Sequence, residues 1–171
     1  QGEQVREHME TVHPEKIVHY VVQAEMRGQS DALNQARAHL DGPMLMAFSD
    51  TLIETDFSFL SDDTREIVAC VKSVADPRRF GVAELGPDGY VTRLIEKPTD
   101  MSNNLVVVGC YYFKSGKALI GAIDEQMRRK VTLKDEFFLA DAVNILLKGG
   151  ARMCVQPVEI WLDAGTPETL L

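Results

Sequence analysis

An α/β domain with a mainly parallel sheet flanked by helices is the fold the sequence predicts, and three observations predict it. Segments with apolar residues at helical spacing alternate with short runs that are apolar almost without interruption. Those runs are rich in Val, Ile and Leu, as strands buried on both faces are. Turn-forming residues mark most of the junctions, so the alternation of helix and strand is punctuated rather than blurred. With 171 residues and 45% hydrophobic side chains, the chain has material for one packed domain.

In order, Val5, Met9 and Val12 share a face and predict a helix over residues 3–12, and the β-branched run 16–23 predicts a strand. Ser30 or Asp31 is expected to cap a second helix whose Leu33, Ala36 and Leu40 share a face, and Asp41-Gly42-Pro43 ends it. Residues 43–49 are expected as a buried strand and 66–74 as another. Then the pattern changes. Residues 80–85, a Gly86-Pro87-Asp88-Gly89 turn, 90–97 and 105–113 read as consecutive strands without helices, an antiparallel insertion within 76–113. Helices are predicted over 114–129 and 136–148, the second with Leu139, Ala142, Val143 and Leu146 on one face and Gly149-Gly150 as its stop. A last strand pair runs towards Trp161.

Composition excludes several classes. A formal charge of −8 argues against broad contact with a nucleic-acid backbone, and it means that any phosphate-handling site must bring its own cations or metal ions. No run of eighteen apolar residues and no basic-then-apolar leader is visible, so a cytoplasmic protein is expected. Cys70, Cys110 and Cys154 lie far apart in apolar runs and read as free buried thiols. His8, His13, His19 and His39 lack zinc-ligand spacing, and no Gly-X-Ser-X-Gly elbow announces a hydrolase.

The residues left for chemistry are few. Asp50 follows a strand and Asp163 ends one, and carboxylates from two strand ends are what Mg²⁺ needs while substrate phosphates complete its octahedron. Asp50 reads equally well as a turn residue. Thr166, Pro167 and Glu168 are accounted for as the cap and first turn of a helix. Glu96 and Lys97 close a strand before Pro98, which should hold Lys97 extended. Successive strand residues face opposite ways, so both can serve one site only if the strand bends there. Gln23 could pair with uracil or thymine through its amide or be an ordinary loop residue, and Asn104 and Tyr111 flank a strand whose polar ends could meet a sugar.

Taken in order, the segments 23–33 (QAEMRGQSDAL), 48–52 (FSDTL), 76–84 (DPRRFGVAE), 95–98 (IEKP), 104–113 (NLVVVGCYYF), 135–141 (DEFFLAD) and 161–166 (WLDAGT) resemble the sugar-1-phosphate nucleotidylyltransferases, of the glucose-1-phosphate thymidylyltransferase and uridylyltransferase type. The resemblance spans nearly the whole chain. It implies a Rossmann-like sheet with an antiparallel sugar-binding insertion, and transfer of a nucleotidyl group from a nucleoside triphosphate, dTTP or UTP, to a sugar 1-phosphate such as glucose 1-phosphate. By the same resemblance, Asp50 and Asp163 hold a catalytic Mg²⁺, Lys97 binds the sugar phosphate, Gln23 and Gly28 face the base, and Gly81, Glu96, Asn104 and Tyr111 line the sugar pocket. Nucleic acid and membrane are not implied partners; a homo-oligomer is compatible.

The chain also departs from the family's pattern. The family opens with a strand and a Gly-rich loop whose Arg and Lys cradle the triphosphate, and residues 1–171 are expected to be a single incomplete domain without that loop. Ser49 and Ala164 stand where Gly and Thr are usual. The alternative expectation is a non-catalytic relative that keeps the fold for sugar-nucleotide sensing or subunit assembly. Retention of Asp50, Asp163 and Lys97 favours the enzyme.

Overall fold

The computed structural model describes residues 2–165. Helix α1 (Gly2–Val12) comes first and buries none of its residues. The run 16–23 then departs from its predicted strand: among the described residues it pairs with no strand, and Ile17 and Val22 are 90% and 81% exposed. β-branched composition favours a pleated, half-buried surface, but a strand exists only against a neighbour, and the described residues supply none.

Helix α2 (Gln29–Gln35) starts at Gly28, whose φ of 94° turns the chain without a side-chain cap; Ser30 and Asp31, expected as caps, are buried instead. Leu33 and Leu40 pack on the core as predicted. Strand β1 (Met44–Ala47) is shorter than expected and alternates between half-buried and exposed, because among the described residues only one of its edges is paired. Next come β2 (Thr51–Glu54) and β3 (Ile67–Ser73), the latter buried on both faces over residues 67–71. Strands β4 (Gly81–Leu85) and β5 (Val91–Glu96) form the predicted hairpin, with Gly89 at φ 80° in its turn, and β6 (Leu105–Phe113) follows.

Helix α3 (Gly116–Arg129) is capped by the Ser115 hydroxyl, which accepts the Ala118 N–H. Helix α4 (Leu139–Lys148) begins three residues later than predicted and buries Leu139, Ala142 and Val143. Strands β7 (Met153–Pro157) and β8 (Ile160–Asp163) close the described chain. They are not a pair: β7 joins the main sheet and β8 pairs with β2.

The architecture is α/β, as expected. The main sheet runs β5-β4-β6-β3-β7, with β1 also on β6. Among the described residues β3–β7 is the parallel pair and the other registers are antiparallel; the 16–23 run, which helix–strand alternation would have added, stays outside. Segment 76–113 contributes β4, β5 and β6, paired antiparallel, to that same sheet.

Strand periodicity sorts the core onto two faces. Ile67, Ala69, Val71, Val107, Tyr111 and Phe113 face the helices, meeting residues such as Leu119, Ile123, Leu139 and Val143. Cys70, Val108 and Cys110 face the other way, beneath Ile53 and Trp161 of the β2–β8 ribbon. Cys154 is partly exposed, and all three thiols are free. No helix of the described residues is long and apolar enough to cross a membrane.

Candidate active site

The site exists because one edge of β6 is shared by two strands. Its first half pairs with β4 (Val82↔Val106, Gly81↔Val107) and its second half with β1 (Ala47↔Cys110 to Met44↔Phe113). Val108 and Gly109 fall between them. On the opposite edge the register with β3 shifts there too, and Gly109 adopts φ 75°, a conformation a side chain would strain. Their carbonyls are still satisfied: the Phe48 N–H donates to Gly109 (2.9 Å) and the Thr51 hydroxyl to Val108 (2.7 Å). Trp161 Nε1–H in turn donates to the Thr51 hydroxyl at 2.9 Å. The parting of β1 from β4 opens a cavity of ≈ 360 Å³.

Six of the predicted residues line that cavity: Asp50, Asp163, Gly81, Glu96, Lys97 and Tyr111. Asp50 precedes β2 and Asp163 ends β8, and the pairing Thr51↔Asp163 sets them side by side, with the Ala164 N–H donating to the Asp50 carbonyl (2.8 Å). Both carboxylates converge on Gly165: a Cβ there would meet Asp163 Oδ1 at 3.0 Å and Asp50 Oδ2 at 3.1 Å. Asp163 Oδ1 also accepts the Gly165 N–H at 2.9 Å. Thr166, Pro167 and Glu168 lie outside the described residues.

Lys97 is not extended as Pro98 predicted. Its φ is 48°, and its N–H donates to the Phe80 carbonyl at 2.9 Å. That turn is the bend required for two consecutive residues to serve one site, and Glu96 and Lys97 both border the cavity. Gly81 sits opposite Glu96, where a Cβ would come within 3.1 Å of Glu96 Oε2. Its bareness therefore makes room for the carboxylate. Burial raises the pKa of Glu96; the Lys97 ammonium pulls it back, and Asp141 and Glu136 add to the rise. The Tyr111 phenol is pushed up by burial and then by the charges of Glu96 and Cys110.

Three predicted residues lie elsewhere. Gln23 spends its amide N–H groups on the Gly28 carbonyl (3.1 Å) and Asp31 (2.8 Å). Gly28 packs against the Phe137 backbone, where a Cβ would meet its carbonyl oxygen at 2.6 Å; its neighbour Gln29 reaches the cavity. Asn104 is exposed at the start of β6, with its carbonyl taken by the Val74 N–H.

Sequence reasoning missed Arg79, Phe80, Glu136, Phe138 and Trp161, all on the cavity wall. Each lies inside a matched segment, which was the available signal, but which residues of a segment face inward depends on the fold. Phe80 and Trp161 meet edge to face, with centroids 5.1 Å apart.

The sequence profile of the nucleotidyl transferase family matches residues 1–171, and the chain belongs to that family. It is 31% identical over 159 residues to the low-salt glycan biosynthesis nucleotidyltransferase of Haloferax volcanii, covering 89% of this chain and 43% of the relative. It is 31% identical over 160 residues to a glucose-1-phosphate thymidylyltransferase of Streptomyces antibioticus, again covering 89% and 43%. The chain thus spans less than half the length of these curated relatives. Among solved structures, a UDP-glucose pyrophosphorylase complexed with UDP-glucose shares the fold with a TM-score of 0.76 at 20% identity, over 99% of this chain and 70% of that one. A Bacillus anthracis protein solved in complex with sucrose gives 0.80 at 22%, over 98% and 68%.

Proposed function

We propose that the complete protein transfers a nucleotidyl group from dTTP or UTP to a sugar 1-phosphate, with glucose 1-phosphate favoured, in a Mg²⁺-dependent reaction. The observation that carries this reading is the meeting of Asp50, Asp163 and the adjacent pair Glu96-Lys97 around one cavity, from three separate places in the sequence. Kinship with a thymidylyltransferase 31% identical supports the choice of nucleotide.

In this reading a phosphate oxygen of the sugar phosphate attacks the α-phosphorus of the triphosphate. A new P–O bond forms as the bond to the bridging β-oxygen breaks, and pyrophosphate leaves. No protein nucleophile is needed, so the protein's work is positioning and charge. Lys97 holds the incoming phosphate against the repulsion of the triphosphate. Glu96 and Tyr111 receive the sugar's hydroxyls beside Gly81. Gln23, outside the cavity wall, has its amide nitrogen engaged, and among the described residues its carbonyl oxygen is left for the imide N–H of uracil or thymine.

Asp50 and Asp163 fit the metal: two hard-oxygen carboxylates converging on a glycine that leaves the space between them open. When bound there, Mg²⁺ supplies charge neutralisation at the α-phosphate.

Calorimetric titration of the chain with UDP-glucose and dTDP-glucose, with Mg²⁺ and with EDTA, tests the reading. Binding should require Mg²⁺ and be lost in Asp163→Asn. Equal affinity in EDTA would remove the metal from the account. Sugar-nucleotide binding by the complete protein, with no pyrophosphate released from dTTP or UTP, would favour the non-catalytic alternative.

A further inference from the structure

Among the described residues Lys97 Nζ has no ion-pair or hydrogen-bond partner, and it stands 4.7 Å from the centroid of the Phe138 ring. A lysine on four rotatable bonds loses considerable freedom when held in one place, so something must hold it. A carboxylate would do so by consuming N–H donors and cancelling the charge. An aromatic ring attracts the ammonium through its quadrupole and leaves all three N–H groups and the full charge available.

The ring is itself fixed. Phe138 is 4% exposed at the start of α4. Its carbonyl accepts Gln126 Nε2 at 2.9 Å from inside the core and the Asp141 N–H at 3.2 Å from the first turn of the helix. The next N–H, of Leu139, donates to Gln29 Oε1 at 3.1 Å. Lys97 arrives from the other side on a backbone set at φ 48°. Two rigid supports therefore bring a free ammonium over an aromatic face at the wall of the cavity.

We propose that Phe138 is a positioning residue: its ring holds the Lys97 ammonium, with its N–H donors uncommitted, at the point where the sugar phosphate binds. The proposal rests on the reading of Lys97 as the phosphate-binding cation.

Its test uses the 171-residue chain, with Phe138 replaced by leucine and, separately, by mono-, di- and trifluorinated phenylalanine, which keep the ring's shape while draining its face of negative charge. Two quantities are read. The first is the ¹³C–¹H spectrum of the lysine ε-methylene groups, with Lys97 assigned by its loss in Lys97→Met. In the parent chain the ring current should move these protons upfield of every other lysine, and Phe138→Leu should return them to the common range. The second is affinity for glucose 1-phosphate, which should fall stepwise with each fluorine, to a total of about threefold to tenfold.

Unshifted Lys97 protons in the parent chain would overturn the contact. Shifted protons with an affinity indifferent to fluorination would overturn the positioning role, because a ring that only fills space is insensitive to fluorine. If Lys97→Met binds glucose 1-phosphate as well as the parent, or the parent does not bind it, the phosphate reading of Lys97 fails and the positioning role falls with it. The shifted protons would then survive to show that the contact itself was correctly placed.

Discussion

Glu96 is the residue whose chemistry depends most on where the fold puts it. Burial raises its pKa, Lys97 opposes the rise, and Asp141 at the head of α4 and Glu136 add to it. The folded chain therefore holds this proton more tightly than the unfolded chain. Its contribution to stability is full below the unfolded value of 4.5 and is lost as pH rises through the raised folded value. Glu96→Gln removes that loss. The variant should melt above the parent at pH 7, with the advantage disappearing as the pH is lowered past 4.5, in thermal scans across that range. A pH-independent difference would refute the assignment. The chemical identities of Glu96 and Lys97 were legible in the sequence, as was the need for a bend between them. That Lys97 supplies the bend was not, because a φ of 48° in a lysine before proline runs against local preference and is held only by its surroundings.

Among the elements, the connection into α4 stores similar strain. Leu133 and Glu136 exchange both backbone hydrogen bonds, at 3.0 and 3.1 Å, around Lys134 and Asp135 at φ 52° and 63°. Two consecutive left-handed residues are the mark of a type I′ turn, for which Asn-Gly is the preferred pair. The double variant Lys134→Asn, Asp135→Gly should stabilise the chain by about 1 kcal/mol, read as a higher urea midpoint at unchanged slope. A lower midpoint would mean that these side chains have contacts worth more than the strain. Nothing in Lys-Asp announces this turn, and the predicted helix start at 136 falls on its last residue, three residues before the true start at Leu139. The hairpin β4–β5 was legible for the opposite reason: its Gly-Pro-Asp-Gly turn suits the geometry it adopts. The run 16–23 failed as a strand because pairing is a property of two segments and the pattern describes one.

For the whole molecule, burial separates residues that the sequence treats alike. Ile123 is fully buried against the sheet, whereas Ile17 is 90% exposed, though both sit in apolar patterns. Ile123→Ala should cost about 2–5 kcal/mol and Ile17→Ala about 0.5 kcal/mol or less, as measured by denaturant unfolding. Similar costs would contradict the core drawn here. By itself the sequence determined the α/β class, the positions of most helices and strands, and the family, because periodicity, turn chemistry and ordered motifs are local signals that survive without a partner. The tertiary structure decided which strands meet, that β1 and β4 part along β6 to open a cavity, and that Asp50 and Asp163 converge while Asn104 stays outside. Those are contacts between residues far apart in the chain, and their energies depend on packing and pairing that no single segment contains.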